Sequence, residues 1–211
     1  MGSRPEDIEH AADALRAGGL VVFPTETVYG VGADASDAAA VRRIFRAKLR
    51  PAGQPVAVLV GVGSDPDEWA CDIPFGARRL MDAHWPGPLT LVLRSRPGVL
   101  DVVRGGGPTI GLRMPDDPVT LELLDRFGGG IAGTSANRHG YPSPVTVEEA
   151  RAELGDAVDV YLDGGPSRLA VASTVVDFSG EEVVVLREGS LPVSEVERLA
   201  GRPVRVEAAG S

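Results

Sequence analysis

Cysteine is almost absent from this sequence, with Cys71 alone among 211 residues. A single thiol excludes an intramolecular disulfide framework and is typical of a protein in a reducing compartment. Long apolar runs are missing as well. None approaches the ~20 residues of a membrane-spanning helix, and the N-terminus lacks a signal-peptide pattern. We therefore expect a soluble, cytoplasmic protein without a membrane partner.

Positive charge and metal-ligand clusters are also scarce. The formal net charge is −9, which argues against a non-specific nucleic-acid binder but is compatible with a local basic pocket. His10, His84 and His139 are scattered without the spacing of a zinc site. Glycine runs such as Gly105-Gly106-Gly107 lack the spacing of a Walker loop or a dinucleotide fingerprint. The sequence therefore predicts no metal held by the protein itself.

What the sequence does contain is an alternation of strand-like and helical segments. Strand-like segments cover residues 20–23, 56–60, 89–93, 109–113, 131–133, 158–162, 173–178, 183–187 and 204–206. Helices are predicted at 37–47 and 119–127 and after capping-box pairs at Ser3/Glu6, Thr146/Glu149 and Ser194/Glu197. This alternation predicts an α/β (α+β) fold with a twisted, open, mixed sheet flanked by helices. We expect one domain over residues 1–207 and a frayed tail at 208–211.

Two tripeptides are the most informative local features: Lys48-Leu49-Arg50 and Ser135-Ala136-Asn137. Each alternates functional and aliphatic side chains, so an extended backbone would turn both functional groups the same way. Lysine, arginine, a hydroxyl and an amide that converge on one hollow suit a phosphorylated or carboxylated ligand. The tripeptides thus predict an anion-binding pocket with Lys48 and Arg50 facing into it.

Further polar residues follow the predicted strands, where open α/β sheets usually bind ligands. Thr25-Glu26-Thr27 follows the first strand, Arg113 and Arg187 end two others, and Ser173 begins one. A single threonine or serine at a strand end is most often a turn or cap residue. The repetition of the pattern over several strands favours a site there.

Taken together, these segments resemble the YrdC/TsaC-type family of threonylcarbamoyl-AMP synthases. The resemblance covers roughly residues 5–190 in the family's order and implies a YrdC-like fold of the short, single-domain form. The matching stretches are Pro24-Thr25-Glu26-Thr27-Val28-Tyr29-Gly30-Val31-Gly32-Ala33, Lys48-Leu49-Arg50-Pro51, Trp85-Pro86-Gly87-Pro88-Leu89-Thr90, Arg113-Met114-Pro115, Thr134-Ser135-Ala136-Asn137, Ser143-Pro144, Ser173-Thr174-Val175-Val176-Asp177 and Leu186-Arg187-Glu188-Gly189.

The resemblance implies a nucleotidyltransferase that makes threonylcarbamoyl-AMP and pyrophosphate from L-threonine, bicarbonate or CO2, and ATP, for the threonylcarbamoyladenosine modification of tRNA. It implies Mg²⁺ carried with ATP, and tRNA and the downstream threonylcarbamoyl-transfer machinery as candidate partners. The catalytic set would be Lys48, Arg50, Ser135 and Asn137. L-Threonine and its carbamate would bind Thr27, Arg50, Arg113, Ser135 and Ser173. ATP would bind Lys48, Gln54, Thr109, Asn137, Ser143 and Arg187.

Some positions depart from the family's common pattern, and two other functions remain open. Leu49, Gln54, Leu59, Asp117 and Ala172 replace the residues that the family frequently has there. One alternative is a paralogue of the same fold that acts on another carbamoyl or amino-acid substrate. The other is an RNA-binding module, which the acidic net charge disfavours. A binding module would need neither ATP nor threonine.

Overall fold

The computed structural model describes residues 3–51 and 53–207, and its strands form a single ten-stranded sheet. The strands are β1 (Val21–Phe23), β2 (Gly30–Asp34), β3 (Ala57–Leu59), β4 (Leu89–Arg94), β5 (Thr109–Arg113), β6 (Ile131–Ser135), β7 (Val160–Tyr161), β8 (Thr174–Asp177), β9 (Val183–Arg187) and β10 (Val204–Val206). The helices are α1 (Pro5–Arg16), α2 (Ala38–Ala47), α3 (Phe75–His84), α4 (Asp101–Arg104), α5 (Pro118–Phe127), α6 (Val147–Leu154) and α7 (Val193–Ala200). The expected tail at 208–211 lies outside the described residues.

Parallel and antiparallel neighbours occur together in this sheet, whose strand order is β10-β9-β8-β4-β5-β3-β6-β2-β1-β7. For example, β3 runs parallel to β5 and antiparallel to β6, while β4 runs antiparallel to β5 and parallel to β8. The predicted α/β class with a mixed sheet and flanking helices is confirmed. None of the helices within residues 3–51 and 53–207 has the length and apolarity needed to cross a bilayer.

Local capping chemistry explains where several helices begin. The side chains of Asp37, Asp117 and Thr146 accept hydrogen bonds from backbone N–H groups of the first turns of α2, α5 and α6. The capping box predicted at Ser3 is wrong, because Pro5 occupies the first helical position and moves the N-cap to Arg4. Ser3 instead donates to the Asp163 carbonyl over 2.9 Å.

The capping box predicted at Ser194 is also wrong. Pro192 is the N-cap of α7, and its carbonyl accepts from the Glu195 N–H at 3.1 Å. Ser194 therefore lies inside the first turn, where its hydroxyl is not needed as a cap. Proline immediately before or within a first turn fixes the start of both helices more strongly than a nearby serine does.

Strand β2 was not among the predicted strands, because its glycines hide the strand pattern. A side chain at Gly30 would come within 2.5 Å of the Phe23 ring, and one at Gly32 within 2.5 Å of Ile131. The glycines let the large Phe23 side chain of β1 lie across β2 and β6. A segment missing from the predicted strands is thus an interior strand between β1 and β6.

The helices cover the two faces of the sheet unequally. On one face, buried side chains of β3, β4, β5, β8 and β9 pack against α2, α3, α4 and α7. On the other face, α1 and α5 pack only near β1, β7 and the start of β6. This second face is left open over the central strands, and the opening determines where a ligand can bind.

Candidate functional site

Alternate residues of the central strands point to the open face and form the floor of a cavity. In the strand register, Ala57 lies opposite both Gly111 and Gly133, and Val92 lies opposite Gly111. Strand side chains alternate between faces, so residues two apart on each strand share this surface. Because Gly111 and Gly133 have no side chains, the cavity stays open above them.

The cavity measures about 340 Å³, which is within the ordinary range for small-molecule sites. Seven of the residues expected to bind substrates line it: Arg50, Thr109, Arg113, Ser135, Ser143, Ser173 and Arg187. Three others bond to a lining residue or its backbone, namely Thr27, Lys48 and Gln54, and Asn137 is connected to the lining through Lys48. The structure therefore brings all of them to one place.

Where that place lies differs from the prediction. The sequence indicated a site at the ends of the predicted strands, whereas the cavity lies across the sheet face. The sheet is mixed, so neighbouring strands end at opposite edges, and their polar residues meet only on the shared face. A site at a single edge requires a parallel sheet.

Lys48-Leu49-Arg50 is a helix C-cap and not the extended segment that the sequence suggested. Lys48 is the C-cap of α2, and Leu49 has a left-handed backbone with φ of 52°. The Leu49 N–H donates to the Arg46 carbonyl and the Arg50 N–H to the Phe45 carbonyl, which is the Schellman pattern. The turn after α2, and not strand alternation, sends both cations towards β6.

Lys48 is buried behind the cavity and does not line it. Its Nζ donates to the backbone carbonyls of Ser135 and Asn137 and lies 3.5 Å from Asn137 Oδ1. Burial, together with the nearby charge of Arg50, lowers the pKa of Lys48 from 10.5 to about 8. The lysine thus supports the loop after β6 and adds positive charge beneath it.

Asn137 and Arg50 complete this part of the site. The Asn137 amide donates to the carbonyls of Arg138 and Tyr141, at 2.9 and 2.7 Å. Arg50 Nε donates to Gln54 Oε1 at 2.6 Å, and its Nη1 lies 3.3 Å from Thr134 Oγ1. These bonds fix the direction of the Arg50 guanidinium at the cavity wall.

Arg113 is held by residues of the turn that follows β1. Its Nη2 donates to Thr27 Oγ1 at 2.8 Å and lies 2.9 Å from Glu26 Oε1. Burial lowers the pKa of Arg113, and the Glu26 carboxylate opposes that shift. Because an arginine remains protonated in proteins, this wall of the cavity carries a fixed cation beside a buried carboxylate.

Ser173 connects two of the expected binding groups. Its hydroxyl lies 2.9 Å from Thr90 Oγ1 and accepts from Arg187 Nη2 at 3.0 Å, while Arg187 Nε donates to the Ser173 carbonyl. Burial and the charge of Arg113 lower the pKa of Arg187, so the two guanidinium groups repel each other. An anionic ligand between them would relieve this repulsion.

Sequence reasoning assigned no role to several residues of the cavity. Thr90 and Thr134 line it, and Glu26 and Thr25 organise the turn that holds Arg113. The alternation Thr90-x-Val92 is a signal that could have identified Thr90, because it marks one face of β4. Glu26 carried no such signal, since only its burial distinguishes it from a surface acid.

The carboxylates and imidazoles of the described residues do not make a metal centre. Across residues 3–51 and 53–207, no group of three or more histidine, cysteine, aspartate or glutamate side chains is arranged to hold an ion. Within those ranges, the residues that line the cavity include cations and hydroxyls but no carboxylate. The chemistry of this donor set fits an anion.

Comparison with known proteins gives consistent results. A family model named for Sua5, YciO and YrdC, with the description telomere recombination, matches residues 13–189. A Mycobacterium tuberculosis protein is 44% identical over 94% of this chain and 91% of its own length. The threonylcarbamoyl-AMP synthase of Pyrococcus abyssi is 42% identical over 92% of this chain, which spans 57% of that relative.

A solved structure is similar over nearly the whole chain. The crystal structure of Pyrococcus abyssi Sua5 complexed with L-threonine has a TM-score of 0.91 and 41% identity, and the match covers 95% of this chain and 58% of that one. Agreement in sequence and in fold over this length identifies the relationship. The chain belongs to the Sua5/YciO/YrdC family.

Proposed function

We propose that this protein is a threonylcarbamoyl-AMP synthase, which makes threonylcarbamoyl-AMP and pyrophosphate from L-threonine, bicarbonate and ATP. The observation that carries the proposal is one cavity in which a wall around Arg113 meets the loop after β6, with the Lys48 charge buried beneath the Ser135 backbone. The identity to a named synthase of Pyrococcus abyssi, and a relative's complex with L-threonine, support it.

L-Threonine and its carbamate are assigned to the wall formed by Thr27, Arg50, Arg113, Ser135 and Ser173. Arg113 and Arg50 each present a planar guanidinium, which can bind a carboxylate through two parallel hydrogen bonds. Ser173 lies beside Arg187, so the amino-acid group would contact the nucleotide group there. This contact would bring the carbamate close to the α-phosphate.

ATP is assigned to Lys48, Gln54, Thr109, Asn137, Ser143 and Arg187. Lys48 and Asn137 shape the loop after β6, where the Lys48 charge lies just beneath the backbone. Positive charge at this position would stabilise the negative charge that develops on the phosphate in the transition state. Lys48, Arg50, Ser135 and Asn137 are therefore the proposed catalytic residues.

The reaction proceeds by two substitutions in which the protein supplies no nucleophile. The threonine nitrogen bonds to the carbon of bicarbonate, and water leaves, which gives the carbamate. A carbamate oxygen then bonds to the α-phosphorus, and the bond from that phosphorus to the bridging oxygen breaks. Pyrophosphate departs with the electron pair. The protein contributes positioning and electrostatic stabilisation.

Magnesium is proposed to enter with the nucleotide as part of the substrate. The carboxylate-free set of cavity residues found within 3–51 and 53–207 suits an ion held by phosphates and water and not by a protein cage. We also propose a cytoplasmic location, contact with tRNA or the threonylcarbamoyl-transfer machinery, and one domain over residues 1–207.

The experiment is to measure pyrophosphate release from ATP, magnesium and bicarbonate with each amino acid in turn, with mass spectrometry of the nucleotide product. Release that requires L-threonine and yields the mass of threonylcarbamoyl-AMP is the expected result. Arg113→Lys should lose most of this activity. The matched control is Arg78→Lys, because Arg78 pairs with Asp67 at the exposed surface.

Two other results would overturn the proposal in different directions. Release with a different amino acid would keep the chemistry and point to the paralogous enzyme. No release with any amino acid, together with salt-dependent binding of tRNA, would point to the RNA-binding module.

A further inference from the structure

Glu26 is a carboxylate in an unusual place, because only 2% of its surface is exposed. Its Oε1 lies 2.9 Å from Arg113 Nη2 in an ion pair and makes no hydrogen bond within the described residues, whereas its Oε2 accepts from the Asp116 backbone N–H at 3.1 Å. Its own carbonyl accepts from the Leu169 N–H at 2.8 Å. The carboxylate therefore bridges the Arg113 side chain and the backbone three residues further along.

The same turn holds Arg113 from a second direction. Thr27 accepts from Arg113 Nη2, and the Thr27 hydroxyl lies 2.8 Å from Thr25 Oγ1. Thr25 Oγ1 also donates to the Val28 carbonyl, which fixes its own rotation. Glu26 and Thr27 thus contact the same nitrogen of the guanidinium, and Thr25 orients the Thr27 hydroxyl.

Arg113 keeps an unused donor in this arrangement. Its Nε is buried and makes no hydrogen bond to any residue of the ranges that the structure describes. A buried donor without a partner is unfavourable, because it has lost its hydration and gained no hydrogen bond in return. Since Arg113 lines the cavity, a carboxylate that enters would meet this guanidinium while its Nη2 keeps its contacts to Glu26 and Thr27.

Simple stabilisation does not explain a buried ion pair at this position. Buried ion pairs contribute little to stability compared with apolar residues of similar size, because both charges lose their hydration. A guanidinium that must present particular donors to a ligand, in contrast, needs a rigid partner that does not compete for those donors. Glu26 meets that requirement because it pairs with Nη2 of Arg113 and leaves Nε and Nη1 to the ligand.

We propose that Glu26 is a positioning residue, whose carboxylate fixes the plane of Arg113 so that the remaining donors meet the carboxylate of the amino-acid substrate. The proposal deepens the proposed function and rests on it for its kinetic readout. It differs from two other roles of Glu26. A counter-charge that weakens anion binding would make Glu26→Gln bind the substrate more tightly, and a purely structural carboxylate would leave the affinity of folded protein unchanged.

The kinetic test compares Glu26→Gln with the wild type. We expect the KM for L-threonine to rise roughly 10- to 100-fold, because a misoriented guanidinium loses its alignment, while the KM for ATP changes by less than about twofold. The control is Asp116→Asn, which alters an exposed neighbouring carboxylate bonded to Arg168. Its KM for both substrates should match the wild type.

A binding measurement separates failure of this proposal from failure of the proposed function. Calorimetry with L-threonine and with L-threoninol, which lacks the carboxylate, needs no turnover. Glu26→Gln should weaken binding of L-threonine and leave L-threoninol unaffected. Unchanged or tighter L-threonine binding by the variant would overturn the proposal, as would a wild type that does not bind L-threonine. Absence of pyrophosphate release alone would count against the synthase only.

A second pair of variants covers the case in which Glu26→Gln does not fold. Glu26→Gln leaves Arg113 as a buried cation without its carboxylate partner. Arg113→Met and the double variant Glu26→Gln/Arg113→Met both avoid this, because neither contains the arginine. If Glu26 acts through Arg113, the two should bind L-threonine with equal affinity. Weaker binding by the double variant would mean that Glu26 acts by another route.

Discussion

The site holds two buried cations in two different ways. In the part between α2 and β6, Lys48 is surrounded by neutral oxygens of Ser135 and Asn137, and no carboxylate within residues 3–51 and 53–207 forms an ion pair with it. In the part around β5, Arg113 is paired with the buried carboxylate of Glu26. We call these the lysine part and the arginine part.

The difference shows how one cavity can serve two anionic groups. The lysine part keeps an uncompensated positive charge, and the low pKa of Lys48 is the consequence of that burial. Such a charge suits a polyanion such as a triphosphate, on which negative charge develops in the transition state. The arginine part is compensated and directional, which suits a single carboxylate of fixed orientation.

Removing the arginine should cost the most stability. Arg113→Met leaves Glu26 as an unpaired buried carboxylate, so we expect the free energy of unfolding to fall by about 3–5 kcal/mol. Urea denaturation measures the change. Glu26→Gln/Arg113→Met should regain a large part of the loss, because neither charge is then isolated. A double variant no more stable than Arg113→Met would contradict this account of the arginine part.

Removing the lysine should cost less stability. Lys48→Met leaves only neutral carbonyls without donors, and we expect a loss of about 1–3 kcal/mol in the same urea titration. Turnover should fall roughly 100- to 1,000-fold, since one charge that stabilises the transition state is gone. Equal stability losses for Lys48→Met and Arg113→Met would remove the distinction between the two parts.

The pH dependence should separate the parts without a large structural change. Between pH 8 and 10.5 the unfolded chain keeps a proton on Lys48 that the folded chain has released, so the contribution of Lys48 to unfolding free energy rises with pH across this window. Activity should move the opposite way, with kcat/KM for ATP falling above about pH 8 as the charge is lost.

Lys48→Arg is the control for that titration, because arginine stays protonated throughout. Both slopes should disappear in Lys48→Arg, whatever its absolute activity. Stability curves and pH–rate profiles measured side by side provide the check. A wild-type rate that stays constant from pH 8 to 10 would show that Lys48 carries no charge needed for the reaction.

The smallest effect is expected at the turn that supports the lysine part. Leu49 is 73% exposed and has a left-handed backbone, in which a leucine costs roughly 1–2 kcal/mol. Leu49→Gly removes that strain but gives the unfolded chain more freedom, so we expect a net stabilisation of up to about 1 kcal/mol, measured by thermal unfolding. Leu49→Ala, which keeps the strain, is the matched control. A less stable glycine variant would contradict the C-cap interpretation.

Some of this fold could be predicted because its causes lie within a few residues. Thr146 caps α6 as expected, and α2 begins after Asp37 where a helix was predicted, since a capping side chain and the N–H groups it accepts from are adjacent in the chain. The pattern failed where more distant structure intervened. Strand β2 depends on glycines that fit beneath Phe23 of a neighbouring strand.

The candidate site divides in the same way. The resemblance of the motifs predicted seven residues that line the cavity, yet Lys48-Leu49-Arg50 was expected to be extended and is a helix cap. Glu26 lies in the first matching motif, and the resemblance assigned it no role. A buried acid and an exposed acid look alike in sequence, because burial is a property of the assembled layers.

The sequence alone determined the class of fold, the mixed sheet and the set of cations and hydroxyls, because hydrophobic pattern and side-chain chemistry are written residue by residue. Tertiary structure decided that the site lies on the open face of the sheet and that Arg113 meets Glu26. Those outcomes depend on strand register, and register is fixed by the joint packing of strands distant in the chain. Glu26 precedes β2, and Arg113 ends β5. The pairing of β2 with β6, of β6 with β3 and of β3 with β5 brings these two residues together.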